Sequence, residues 1–530
     1  MKRCPECRRD YYDGQMIFCL DDGTRLLDGP AVSHTDITVS MPQMAVGAAS
    51  ETENTTLILS DHPLGNTSPT VDQPAKRSIA VMPFVNLSAD PENEYFCDGL
   101  AEDLINALAK IGDIRVVART SAFSFKGTNA DARSIGNQLN VSTILEGSVR
   151  KAGERLRINV QLINAADGFH LWTERYDRKL LDIFDVQDEV TAAVIDSLRV
   201  KLLGAAPLQL RRKRYTGNVE AYEVYLHGRY FLNMFTAESF EKAIEFFEHA
   251  LAIDPKYALA HAGIADGYVM LSELGPLDAA DAMPKAREHA LKALSLDNDL
   301  AEAHCSLGII QRDYDYDFER AERAFKMAIG IEPGDPTARL SYGLLLSYIG
   351  RHAEAEGQFR VALDVDPLSV IGNWFYSLGL FQSRSYDACI DQSKRTLELD
   401  DDFPGAYLTL GFANHMKGNY ADAIEGYARF SGRIGGPHIA VFIRESFSAR
   451  GWTGFLQAMT GEERPVELSS YIIAVFHAAL GEKDKAVFEL EKAFENRESY
   501  LAMLKVDPRL DVLRGEPSFV NLMGRIGFPG

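Results

Sequence analysis

Three cysteines and an aspartate near the start of the chain have the spacing of a metal site. Cys4 and Cys7 form a C-x-x-C pair, and Cys19 and Asp22 repeat that spacing further along. Thiolates hold Zn²⁺ tetrahedrally, and a carboxylate is an acceptable though harder ligand. A segment this small cannot bury a core large enough to fold without a metal. We therefore expect residues 1–28 to bind zinc through these four side chains; the alternative is a flexible tag that has lost its metal.

A second group of polar residues is spread through the region after residue 77, and each has an ordinary structural explanation. Asp98 suits a turn or a helix cap, and Arg119 and Glu146 suit a structural ion pair. The chain has no G-x-x-x-x-G-K-[S/T] phosphate loop, no G-x-S-x-G elbow and no H-E-x-x-H pair. We therefore expect a protein that is not an enzyme. The group consists of Asp98, Glu102, Arg119, Glu146, His170, Glu174 and Asp177.

The elements that position this group follow a linker. Residues 29–76 are rich in Thr, Ser, Asn, Pro and Asp without apolar periodicity, which predicts a disordered linker. A mixed α/β domain is expected over residues 77–204. The apolar patterns predict strands at 78–84 and 114–117, helices at 92–111, 132–139 and 185–203, and antiparallel hairpins over 142–176. The basic residues of 205–217 then read as a solvated linker.

A repeated helical pattern begins at about residue 218. Ala243–Pro255 reads A-I-E-F-F-E-H-A-L-A-I-D-P, and related segments end at Asn298, Pro333 and Pro367. The later spacing is close to about 34 residues, the period of tetratricopeptide repeats. Small residues on either side of a large apolar one suit two antiparallel helices that cross closely. Residues 218–530 are therefore expected to form an all-α array.

The pattern is uneven along the array. Cys389, Ser393 and Thr396 replace the small-large-small set, which makes that unit degenerate. The period is lost over 431–467 and returns in a seventh unit. Residues 508–519 are expected to cap the exposed core at the end of the array.

The array resembles the tetratricopeptide family, and this resemblance implies a solenoid with a concave groove that binds a protein or peptide segment. The family's register places apolar and aromatic side chains in this groove, so an apolar or aromatic-bearing peptide is the expected ligand. For Leu344 and Leu378 the alternative is packing between neighbouring repeats. The expected groove residues are Arg312, Leu344, Trp374, Leu378, Phe381, Phe412 and His415.

The α/β region is similar to the TolB amino-terminal-like domain in the order of four motifs. These are Ser78–Phe84, Glu94–Leu100, Leu145–Arg150 and Gly168–Asp177. In bacteria that domain accompanies tetratricopeptide arrays, often in chains that begin with an adenylate cyclase or a winged-helix DNA-binding domain. The resemblance implies a non-catalytic regulatory module. Here a segment that resembles a zinc ribbon stands where the effector usually lies.

Composition limits the remaining possibilities. The formal net charge is −21, which argues against nucleic acid as a general partner because phosphate binding needs clustered Lys and Arg. No apolar run is long enough for a membrane span or a signal peptide. Cys97, Cys305 and Cys389 are far apart in the sequence, which indicates reduced thiols and not a disulfide framework. We therefore expect a multidomain cytoplasmic protein.

Two functions from different classes fit these expectations. In the first, the protein is a non-catalytic scaffold that holds a partner in the groove of the array. In the second, the protein is a degenerate member of an adenylate-cyclase or transcription-factor lineage whose α/β domain binds a small molecule and whose output lies in another chain. A pocket with converging polar groups in the α/β domain would favour the second, and an open apolar groove in the array would favour the first.

Overall fold

The structure is a computed structural model, and it describes residues 2–3, 10–11, 27–28, 78–90, 93–110, 114–179, 183–198, 215–273, 277–462 and 464–529. The chain forms two compact units, residues 1–71 and 72–530. The described residues of the first unit form three two-residue strands, with β1 (Lys2–Arg3) antiparallel to both β2 (Asp10–Tyr11) and β3 (Leu27–Asp28).

The second unit begins with a mixed α/β domain. Its strands are β4 (Ser78–Val81), β5 (Val85–Asn86), β6 (Arg115–Val116), β7 (Thr143–Ala152), β8 (Arg155–Asn164) and β9 (His170–Lys179). Its helices are α1 (Glu94–Ala109), α2 (Arg119–Phe123), α3 (Ala132–Leu139) and α4 (Ile183–Leu198). The strand order is β6-β4-β7-β8-β9, with β5 also paired to β7. Strands β4 and β6 run parallel to their neighbours, whereas β7, β8 and β9 form antiparallel hairpins.

Alternation along β8 explains how this sheet is covered. Leu156, Ile158, Val160 and Leu162 are buried on one face, where they share a core with α1 and α4. The intervening residues are polar, as expected for a sheet with one solvated face. Helices α2 and α3 cover only the other face of β4 and the start of β7.

The rest of the unit is an array of antiparallel helices. They are α5 (Val219–Leu232), α6 (Ala237–Ile253), α7 (Ala258–Glu273), α8 (Ala279–Leu296), α9 (Ala301–Ile310), α10 (Phe318–Ile331), α11 (Pro336–Tyr348), α12 (His352–Val365), α13 (Val370–Gln382), α14 (Tyr386–Leu399), α15 (Pro404–Lys417), α16 (Tyr420–Ile434), α17 (Pro437–Thr460), α18 (Ser470–Ala479), α19 (Lys483–Glu495) and α20 (Pro517–Ile526). A π-helical turn, Gln311–Asp315, extends α9.

Several of the helix pairs pack a phenylalanine of one helix against a glycine of its neighbour. A methyl group at Gly308 would lie 2.6 Å from the ring of Phe325, so α9 can approach α10 closely only with glycine there. Phe359 relates in the same way to Gly343 and Gly379. The small-large-small pattern therefore does form paired helices, and the sequence prediction of a helical repeat region is confirmed.

The stretch where the period was lost is also helical. Helix α17 occupies most of it, and Gly451 interrupts α17 with φ 67° and ψ −165°. Two 3₁₀ segments, Ser499–Met503 and Pro508–Leu513, follow α19. In the part of the chain that the structure describes, no helix combines the length and apolarity needed to cross a bilayer.

Candidate interaction surface

The proposed zinc ligands Cys4, Cys7, Cys19 and Asp22 lie outside the described residues. Within the described ranges, no group of three or more His, Cys, Asp or Glu side chains is arranged to hold a metal ion. Zinc binding by the N-terminal segment therefore stays a prediction.

The inner face of the array is where the sequence placed the partner-binding groove, and most of those residues are not accessible there. Arg312, Leu344, Phe381 and Phe412 are all at most 3% exposed. Trp374, Leu378 and His415 are half-buried. The first four side chains cannot contact a partner in this conformation. This corrects the expectation of an open groove.

The covering element is the chain's own C-terminal segment, residues 498–514. Its apolar side chains Leu501, Leu504, Leu510 and Leu513 are fully buried, and they share one core with Leu344. The amide of Gln382 lies 3.9 Å from the sulfur of Met503. Residues 508–513 were expected to cap the end of the array, but they turn back onto its inner face. The apolar residues of this segment therefore occupy the position predicted for a partner peptide.

A buried charged group fixes this segment. Arg509 makes an ion pair with Asp507 at 2.6 Å, and both side chains are almost fully buried. The guanidinium carbon lies 3.8 Å from the centroid of the Phe412 ring, close enough for a cation–π contact. Tyr471 donates a hydrogen bond of 2.8 Å to Asp507. Burial alone would raise the pKa of Asp507, but the Arg509 guanidinium holds it below its usual value. Burial, aided by Arg509, lowers the pKa of His415 to about 4.

The π-helical turn explains the burial of Arg312. The wider turn directs two consecutive side chains, Arg312 and Asp313, into the core. The guanidinium pairs with Asp313 at 2.5 Å and donates to the carbonyl of Ser341 at 3.0 Å. Burial and the Asp313 carboxylate raise the pKa of the adjacent Glu273. Arg312 therefore serves the packing of the array, and its buried guanidinium is not accessible to a peptide carboxylate.

The end of the array also contacts its middle. The hydroxyl of Tyr316 donates to the carbonyl of Glu498 at 2.9 Å, and the rings of Phe318 and Phe528 stack with centroids 4.8 Å apart. Residues that follow α19 and α20 thus contact the start of α10, although many residues separate them in the sequence. The array closes on itself instead of ending in an open groove.

The α/β domain joins the array through a half-buried ionic junction. Glu102 of α1 lies between Arg119 at 3.1 Å and Arg229 of α5 at 2.5 Å. Burial would raise the pKa of Glu102, but the two guanidinium groups lower it. The predicted ion pair between Arg119 and Glu146 is wrong, because Glu146 accepts from Gln161 at 3.1 Å on the open sheet face.

A second contact at this junction uses a residue of the repeat motif. Asp366 ends one repeat, and its carboxylate accepts from the backbone N–H of Ser121 at 3.0 Å and from its hydroxyl at 2.6 Å. The Ser121 hydroxyl oxygen accepts from the N–H of Leu368 at 2.8 Å. Burial raises the pKa of Asp366. The repeat pattern predicted Asp366 as a helix end but carried no signal for this contact.

The α/β domain itself offers an open hollow of about 700 Å³. Arg150 and Lys151 line it, but Arg150 donates to the carbonyl of Leu87 at 3.2 Å and Lys151 pairs with Glu223 at 2.5 Å. The cationic groups of the hollow are thus already bonded within the chain.

Asp98, which was expected at a turn or cap, lies inside α1 and pairs with Lys126 at 2.7 Å. Burial raises the pKa of Asp98 despite this partner.

Models of known protein families match part of the helical array and most of the α/β domain. Residues 236–257 match a tetratricopeptide repeat model, and residues 75–193 match the second domain of HilA/YgeH-like transcriptional regulators. The TolB-like assignment of this second region stays a prediction, because the matched model is a different one.

Two curated relatives share part of the chain. Putative adenylate cyclase 3 of Rhizobium meliloti is 47% identical over 192 residues, which are 36% of this chain and 32% of the relative. Transcriptional regulator HilA of Salmonella typhimurium is 22% identical over 312 residues, which are 58% of this chain and 54% of the relative. The chain therefore spans about a third of the first relative and about half of the second.

Solved helical proteins resemble parts of the structure at low TM-scores. The type IV pilus biogenesis factor PilW has a TM-score of 0.34 at 18% identity, covering 42% of this chain and 99% of its own. YrrB, described as a TPR protein with an unusual peptide-binding site, has a TM-score of 0.26 at 17% identity, covering 38% and 97%. Residues 236–257 are thus similar to a tetratricopeptide repeat, and residues 75–193 are similar to the second domain of HilA/YgeH-like transcriptional regulators.

Proposed function

We propose that this protein is a non-catalytic scaffold or regulator that binds a partner protein, with the α/β domain and the helical array acting as one recognition body. The observation that carries the proposal is the ionic junction between them. If the two regions separated, Arg229 of the array would lose the carboxylate of Glu102, whereas Glu102 would keep Arg119 within its own domain, and breaking such a partly buried charge pair is unfavourable. The two regions therefore present their surfaces to a partner in one fixed arrangement.

The outer face of the array supplies the partner contact in this proposal. The inner face is filled by residues 498–514, whereas the second helices expose apolar side chains on the outside. Met327 of α10 and Val361 of α12 are each 47% exposed, and each directly precedes the second small residue of its repeat. Leu291 of the neighbouring α8 is 52% exposed. These side chains supply exposed apolar area of the kind that protein interfaces bury.

The relatives' names support a regulatory role. One is named an adenylate cyclase and another a transcriptional regulator, and the chain matches only part of each. That proteins with such different names each match part of this chain suits a regulatory role better than one shared chemistry. We propose a cytoplasmic location as well, which the free, buried thiols of Cys97, Cys305 and Cys389 support because reducing compartments preserve thiols.

The test compares capture of proteins from a lysate of the source cell by three forms of the full chain. The double variant Met327→Glu/Val361→Glu places charge on the outer face. The matched control Val520→Glu changes a residue of α20 that is 56% exposed. We expect quantitative mass spectrometry to find a protein retained by the parent and the control and lost from the double variant. Identical capture by all three forms would contradict the outer-face assignment.

A ligand-sensing regulator is the second candidate, and the open hollow beside Arg150 and Lys151 favours it. A small anion there would have to compete with the carbonyl of Leu87 and the carboxylate of Glu223. Thermal-shift screening of anionic metabolites against the full chain tests this candidate. A stabilising ligand whose effect disappears in Arg150→Ala would favour it over the scaffold.

A further inference from the structure

Strand β9 forms one edge of the six-stranded sheet, and its outer side has no strand beside it among the residues that the structure describes. The strand is ten residues long, His170–Lys179. Long edge strands are templates for pairing with another chain, and proteins usually guard them with charges. The order of the charged residues along β9 therefore indicates which strand can pair with it and in which register.

The backbone groups that point outward can be identified from the neighbouring strands. The N–H of Ala165 donates to the carbonyl of Ser142, and the N–H of Met82 donates to the carbonyl of Leu145. Because hydrogen-bonding direction alternates along a strand, the odd-numbered residues of β8 face β7 and its even-numbered residues face β9. The register pairs Ile158 with Tyr176. The N–H and C=O groups of Thr173, Arg175, Asp177 and Lys179 consequently point away from the sheet.

Charge selects one register for a second copy of the strand. In an antiparallel pair related by a two-fold axis through Tyr176, Arg175 of each copy lies opposite Asp177 of the other. In the same register Glu174 lies opposite Arg178. Every one of these four symmetric contacts joins opposite charges, and the outward backbone groups supply about eight hydrogen bonds. Moving the axis by one residue places Arg175 opposite itself or Asp177 opposite itself, and like charges directly opposite are unfavourable.

The side chains needed for this pairing are available. Arg175 and Asp177 are 63% and 47% exposed, and their present contacts are the exposed ion pair between them and the one between Asp177 and Arg157. Arg178, 41% exposed, pairs with Glu189 of α4 and donates to the outward carbonyl of Asp177 at 3.1 Å, and both of these exposed contacts open on pairing. Exposed pairs of this kind contribute little, so they can be exchanged for contacts across an interface.

We propose that two copies of this chain associate through their β9 edges, in the register centred on Tyr176, and so form a continuous twelve-strand sheet from two six-stranded ones. The partner is a second copy because the strand's charge pattern is complementary to itself. The isologous pairing closes after two copies, since it uses the open edge of each.

Charge variants of the full chain test this pairing. Arg175→Asp turns two attractive contacts into Asp–Asp contacts, and Asp177→Arg turns the same two into Arg–Arg contacts. We expect each variant to raise the dimer dissociation constant roughly 30-fold in analytical ultracentrifugation. A mixture of the two variants restores Asp opposite Arg at both contacts, so it should regain heterodimers. Glu238→Arg, at a position 79% exposed on α6, is the matched control and should dimerise like the parent.

Three results would overturn the proposal. The parent chain could be monomeric at every concentration tested, or the single variants could dimerise as the parent does, which would move the interface to another surface. A mixture that stays monomeric while both variants keep the parent's circular dichroism melting temperature would exclude this register. Recovery of the dimer on mixing also shows that the variants are folded.

Discussion

The substitution Arg509→Met tests whether the C-terminal segment is held on the inner face by its buried ion pair. Methionine keeps much of the apolar volume beside Phe412 but leaves Asp507 buried with Tyr471 and the backbone N–H of residue 509 as partners. Removing one member of a buried pair costs about 3–5 kcal/mol, because the remaining charge is uncompensated. We therefore expect the free energy of unfolding to fall by about this amount.

The control is another arginine that contacts the same segment. Arg384 pairs with Asp511, but the two side chains are 48% and 37% exposed. An exposed pair contributes about 0–1 kcal/mol, so Arg384→Met should have little effect. Urea unfolding followed by circular dichroism measures both variants, and an unchanged slope identifies a change in stability as distinct from a change in the unfolded state.

A double variant separates the ion pair from the loss of packing. In Asp507→Asn/Arg509→Met the buried charge is gone, so its cost should be smaller than the sum of the two single costs. Equal destabilisation by Arg509→Met and Arg384→Met would refute the reasoning, and so would strict additivity in the double variant.

Three further predictions concern other parts of the chain. Gly308→Ala should destabilise by about 1–3 kcal/mol because the added methyl group meets the ring of Phe325, whereas Gly330→Ala, with open space around it, should be neutral or stabilising; chemical denaturation measures both, and equal effects would contradict the packing argument. Burial raises the pKa of Asp266, on α7, from 3.8 to about 6. The stability that its protonated carboxyl group contributes is therefore present at low pH and is lost as pH rises through that window. Asp266→Asn should therefore flatten the fall in melting temperature between about pH 4 and pH 6, and an unchanged slope would exclude this titration. If the N-terminal segment holds zinc, elemental analysis of the purified chain should find about one ion per chain and much less in Cys7→Ser; equal zinc in both would refute the site.

The parts of the fold that the sequence predicts are those encoded by contacts between neighbours. A phenylalanine that packs on a glycine in the adjacent helix, as Phe325 does on Gly308, recurs with the repeat and is visible as a pattern. The hairpins of the α/β domain are visible for the same reason, since alternation and turn residues are local signals. The broad order of a mixed α/β domain followed by paired helices could therefore be predicted.

The candidate site could not be predicted because its contacts join distant parts of the chain. Arg229 and Glu102 are separated by 127 positions, and Glu498 and Tyr316 by 182. The sequence suggested that Phe381 and Phe412 face inward, but periodicity does not say which segment covers an inward-facing ring. Arg509 lies in an irregular 3₁₀ stretch without helical periodicity, so its place over Phe412 carried no local signal.

Closure of the array by its last residues also sets an order of events during synthesis. The hydrogen bond from Tyr316 can form only after the ribosome has added Glu498, 182 residues later. At about 5–20 residues per second, the inner face of the emerging repeats stays without its cover for on the order of 10 to 40 s. Over that interval its apolar side chains face solvent and the surfaces of other nascent chains. Synthesis of residues 498–514 is thus the step that ends this exposure to aggregation, and a chaperone that shields paired helices acts most usefully before it.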